Sequence, residues 1–112
     1  MEAATRSLEV YVTSAGRIPF LEWLESLKDL RARAIIRTRL DRVRLGDLGD
    51  CHSLGGGLHE LRIGFGPGYR VYFAHLGAET ILLLCGGPKR SQKADIARAR
   101  RYWRDYGSRQ DA

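Results

Sequence analysis

Apolar residues recur along the chain with two periods, and the switch between them marks out the elements. Residues 8–12 (Leu-Glu-Val-Tyr-Val) alternate apolar and other positions ahead of Gly16, which predicts a first strand. Pro19 suits the first position of a helix, and Phe20, Trp23, Leu24 and Leu27 follow at the i, i+3, i+4, i+7 spacing of one buried face. A second helix is expected over residues 30–45, with Ala32, Ile36, Leu40 and Val43 on one side, Arg33, Arg37 and Arg44 on the other, and Gly46 ending it. Its arginines read as a solvated face, so no site is placed there. Residues 46–57 are rich in glycine and read as irregular. Three strands then follow, over residues 58–63, 69–75 and 79–85.

Gly66-Pro67-Gly68 joins the first two of these, with Pro67 expected at the second position of a type II turn and Gly68 at the third, where φ is positive. Leu76-Gly77-Ala78 reverses the chain again, giving an antiparallel meander. Residues 81–85 are apolar without alternation, as in a strand covered on both faces. A third helix is expected over residues 91–106, capped by Ser91, with Ile96, Ala99, Trp103 and Tyr106 on one stripe. The order β-α-α-β-β-β-α describes one α+β domain over residues 1–112, built on a small antiparallel sheet.

A hydrophobic content of 44% is enough for a core without disulfide or metal staples. Nineteen Lys and Arg against 13 Asp and Glu leave a net charge of +6, which points to a polyanionic partner, with solubility as the plain alternative. Cys51 and Cys85 form no CxxC pair and residues 1–9 have no apolar leader core, so free thiols and a cytoplasmic location are expected. The longest apolar run, residues 81–85, is far short of the ~20 residues needed to span a bilayer, and no membrane partner is expected.

Alternation places Leu61 and Ile63 with Val71 and Phe73 on a buried face and sends Glu60, Arg62, Arg70 and Tyr72 to the other, joined at its edge by Lys89 and Arg90. Two guanidinium groups, a carboxylate and a phenol could hold RNA through phosphate forks and base stacking. They could equally form a polar sheet face in which Glu60 pairs with Arg62 or Arg70 for ~0.2–1 kcal/mol. His52, His59 and His75 lack ligand spacing with the cysteines, and no paired carboxylate motif marks a magnesium site, so neither metal nor cofactor is expected. Gly55-Gly56-Gly57 and Gly86-Gly87-Pro88-Lys89 fall short of a phosphate loop and read as turns.

The strings Leu58-His-Glu-Leu-Arg62, Gly66-Pro-Gly-Tyr-Arg-Val-Tyr-Phe73 and Leu84-Cys-Gly-Gly-Pro-Lys-Arg-Ser-Gln92, with Asp95-Ile96 after them, resemble the RelE/HigB-type addiction-module killer proteins of toxin–antitoxin systems. The resemblance covers nearly the whole chain. It implies a RelE-like fold and a metal-independent, ribosome-dependent messenger RNA endonuclease that inhibits translation. It also implies a cognate antitoxin, often of helix-turn-helix type. Arg70 resembles the family's catalytic arginine, Arg62 lies on the strand that bears its basic residues, and Lys89 aligns with a further basic position. Glu60 and His59 are the candidate proton acceptors, with Glu60 preferred because alternation sends His59 to the core face, and Tyr72, Arg90 and Gln92 are candidate RNA contacts. The related ParE toxins share this fold but bind DNA gyrase, so a gyrase inhibitor without nuclease activity is the alternative.

Overall fold

A computed structural model describes residues 5–110, so both ends of the domain expected over residues 1–112, and the first four residues of the stretch read for a leader, lie outside it. Strands β1 (Ser7–Val10), β2 (Cys51–Gly55), β3 (Leu58–Ile63), β4 (Tyr69–Leu76) and β5 (Thr80–Pro88) form a five-stranded sheet in the order β1-β5-β4-β3-β2. The class is α+β. β1 runs parallel to β5 and the other pairings are antiparallel, so the sheet is mixed. Helices α1 (Pro19–Ser26) and α2 (Leu30–Arg44) follow β1, and a 3-10 turn (Lys89–Ser91) leads from β5 into α3 (Gln92–Gln110).

The strand β2 corrects the irregular reading of residues 46–57. Cys51 and Leu54 are its only partly buried residues, a pattern too sparse for period two, because an edge strand buries little. Gly55, Gly56 and Gly57 then turn the chain into β3 with φ of 84°, 64° and 84°, values at which a Cβ is strained. The Gly66-Pro67-Gly68 turn is also revised. The Gly68 N–H donates to the Phe65 carbonyl at 3.0 Å, so Gly66, at φ 56°, takes the second position and Pro67 the third. Gly86 and Gly87, read as turn residues, lie inside β5.

Both faces of the sheet are covered. Phe20 and Leu24 of α1 and Ala32, Ile36, Leu40 and Val43 of α2 pack on Leu61, Ile63, Tyr69, Val71, Phe73, Ile81 and Leu83. The opposite face holds Leu58, Tyr72, Ala74, Leu82, Leu84 and Cys85, closed by Ala99, Ile96, Tyr102, Trp103 and Tyr106 of α3. A bulge pairs Tyr72 with Cys85 and Phe73 with Leu83, which puts the consecutive residues Leu84 and Cys85 on the same side. That explains the run without alternation.

The arginines of α2 are largely occupied in tying down the chain around it. Arg33 donates to the Leu27 carbonyl at 2.7 Å, Arg39 to that of Leu48 at 2.5 Å, and Arg42 pairs with Asp47 at 2.8 Å. Among the described residues, no helix is long and apolar enough to cross a membrane.

Gly86 is needed for packing. A Cβ there would lie 2.4 Å from two ring atoms of Trp23, so Gly86→Ala should cost about 1–3 kcal/mol through overpacking. Urea unfolding checks this, and an unchanged midpoint would refute the packing role.

Candidate functional site

Arg62 on β3 and Arg70 on β4 are register partners, and Arg70 is in turn paired with Gly87 on β5. One rung of the sheet therefore carries two guanidinium groups on the face that α3 closes. Glu60 lies two residues before Arg62 and points to the same side. Its Oε1 accepts from Arg62 Nε at 2.8 Å and lies 3.5 Å from Arg70 Nε, while Oε2 accepts from Gln92 Nε2 at 2.7 Å. The cluster thus joins β3, β4 and the first turn of α3.

Burial differs sharply within it. The side chain of Arg62 is 42% exposed, that of Arg70 10% and that of Glu60 0%. Burial pushes the Glu60 carboxyl up, but the hydrogen bonds from Arg62 and Gln92 and the charges of both arginines outweigh it and hold the group below its ordinary value. Glu60 is ionised at neutral pH with both oxygens engaged. As placed, it holds two guanidinium groups in position and offers no free oxygen to take a substrate proton.

Arg70 Nε and Nη1 and the Tyr72 hydroxyl are buried without a hydrogen-bond partner, Arg70 Nε being near Glu60 but misaligned for a hydrogen bond. Such donors are costly in an interior, and their gathering at one point marks the site. Burial, then the nearby carboxylates Glu60 and Asp95, raise the Tyr72 phenol, which stays protonated. The expectation that Tyr72 stacks on a base is corrected: it is 0% exposed, because this sheet face is apolar over most of its area and α3 covers it.

Lys89 and Arg90 lie exposed in the 3-10 turn at the rim. The Lys89 N–H donates to the Gly68 carbonyl at 2.7 Å, which sets this turn beside the β3–β4 loop. Ser91 was expected to cap α3; its hydroxyl donates to Asp95 Oδ2 at 2.5 Å. Asp95 is 4% exposed and leans on Gly87, where a Cβ would fall 1.9 Å from Oδ2. Gly87 is thus the opening that admits a second carboxylate beside the cluster. Only the Asp95 resemblance hinted at it in the sequence.

His59 falls on the α1/α2 side, as alternation requires, stacked on Phe73 at 5.3 Å between ring centres and 4.8 Å from His75. Burial, then the charges of His59 and Arg6, lower the His75 pKa from its ordinary 6.5. Below pH 6.5 the unfolded chain therefore binds the proton more readily than the native one, and stability should fall with pH until His75 charges in the folded state too. Urea midpoints at pH 7 and pH 6 check this, with a smaller drop expected for His75→Gln than for the wild type.

No protein-family model matches the chain. An uncharacterized protein of Haemophilus influenzae is 45% identical to it over 83 residues, 74% of this chain and 84% of that protein. The chain belongs to that protein's family. Membership brings no named activity with it.

Proposed function

We propose that the chain is the toxin of a RelE/HigB-like toxin–antitoxin pair and cleaves messenger RNA on the ribosome without a metal ion. The observation that carries this reading is the meeting of Arg62, Arg70, Glu60 and Gln92 from three elements, with buried arginine donors left unpartnered at its centre. Cleavage by a ribose 2′-OH must bring that oxygen in line with the leaving 5′ oxygen, pass its proton to water and return one from water to the leaving oxygen, and neutralise charge growing on the phosphate. In this reading Arg62, the member that reaches solvent, receives the phosphate. Arg70 behind it supplies preorganised positive charge, held there by Glu60, and Lys89 and Arg90 bind the strand at the rim. Gln92 positions Glu60.

Mapping transcript 5′ ends after brief induction tests the proposal. New in-frame ends are expected with the wild type and none with Arg70→Ala. Intact transcripts together with altered plasmid supercoiling would overturn it in favour of the ParE-like gyrase inhibitor. The proposed partner is an antitoxin, co-expressed in the cytoplasm, whose acidic or amphipathic segment covers the positive cluster or displaces α3.

A further inference from the structure

Apart from the residues it lends to the cluster, α3 has an outward side bearing Lys93, Arg101 and Arg104, all exposed. At a helical rise of 1.5 Å per residue they extend over ~16 Å. Among the described residues no ion pair engages them. The acids of the helix lie elsewhere: Asp95 is buried against Gly87, and Asp105 accepts from the Tyr11 hydroxyl at 2.5 Å and pairs with Arg109 at 2.9 Å. An uncompensated basic ridge therefore runs from the turn that carries Lys89 and Arg90 towards the far end of the helix.

At that end lies a recess of about 340 Å³, lined by Gly56, Arg100, Trp103, Arg104 and Gly107. Arg100 donates to the carbonyls of Gly55 at 3.2 Å and Leu54 at 2.7 Å, neutral acceptors that fix its fork without cancelling its charge. Trp103 Nε1 donates to the Gly56 carbonyl at 3.0 Å, so the half-buried indole offers ring surface and no free donor. Gly107 has no packing reason to be glycine, since a Cβ there would meet nothing within 4 Å. Helix propensity opposes it. Its missing side chain keeps the recess open.

We propose that this recess is a nucleotide subsite in which a base of single-stranded RNA stacks on Trp103 while Arg100 and Arg104 hold the flanking phosphates. The strand continues along Arg101 and Lys93 to the cluster at Glu60. Stacking on an aromatic ring within a basic track is how single strands are held with little regard to sequence. Only the far end of the strand rests on the proposed nuclease reading; the recess binds by its own chemistry.

The test uses the full chain with a trinucleotide and an oligouridylate of about 12 residues, inside the ~4–16-nucleotide range of single-strand sites. The longer RNA should bind about tenfold more tightly and quench tryptophan fluorescence, the quenching being lost in Trp103→Phe. Gly107→Leu, which fills the recess, should weaken the longer RNA about fivefold while the thermal midpoint stays level or rises. Arg104→Glu should weaken it and reduce the salt dependence of binding. Wild-type affinity in both variants overturns the proposal, and so does quenching by polyglutamate in place of RNA, which would mean an acidic protein partner. Quenching that persists in a protein without transcript cleavage supports the recess and sinks the nuclease reading; cleavage without quenching does the reverse.

Discussion

Replacing Arg70 by Ala is expected to abolish growth arrest and lower messenger RNA cleavage by about 10²–10³-fold, the loss typical of removing one preorganised donor from a developing anion. The effect is large because Arg70 is 8% exposed and its donors lie in an interior where charge acts with little screening. The fold should survive. Glu60 keeps Arg62 at 2.8 Å and Gln92 at 2.7 Å, so its carboxylate is not stranded. Arg70→Lys should restore part of the activity at most, since an ammonium keeps the charge but loses the planar fork. Cleavage by the two variants, compared at equal folded concentration with thermal unfolding as the control, checks this. Wild-type cleavage by Arg70→Ala would remove Arg70 from the mechanism.

Glu60→Ala should produce the largest loss of stability, about 3–5 kcal/mol, because it leaves the guanidinium of Arg70 buried without its counter-charge. Urea unfolding at neutral pH measures it, and a loss under ~1 kcal/mol would mean that the cluster behaves as a surface pair. The pH dependence follows with a definite sign. The native Glu60 carboxyl lies below its ordinary 4.5, so its contribution is complete above that pH and disappears as pH falls through the lowered native value. Glu60→Gln should therefore flatten the acid limb of the stability curve.

The helical faces were legible because their periodicity is carried by large apolar residues: Phe20, Leu24, Ile36, Leu40 and Val43 are all buried. β3 was equally clear, since Leu61 and Ile63 face α1 and α2 while Glu60 and Arg62 face the other way. The unalternating run at residues 81–85 also signalled cover on both sides. What it could not convey was how far α3 extends over the polar residues, and so Tyr72 read as an open RNA contact when it is part of the core. β2 was missed because Cys51 and Leu54 alone carry its burial. Trp103 read as stripe packing, which is half of its role. Its other neighbours, the glycines at 56 and 57, are brought to it by folding across a separation of 47 residues in the Trp103–Gly56 hydrogen bond.

In the proposed mechanism Arg62 and Arg70 stabilise attack by a ribose 2′-OH on its own phosphate, with Lys89 holding the strand at the rim. A reconstituted translation reaction with a defined message and a ribosome paused with an empty A site tests this directly. The purified protein should cut the message there, leaving a 2′,3′-cyclic phosphate on one fragment and a 5′-hydroxyl on the other, and a single 2′-deoxy substitution at that nucleotide should block the cut. An uncut message with the wild-type protein, or cleavage that proceeds past the 2′-deoxy position, would contradict the claim.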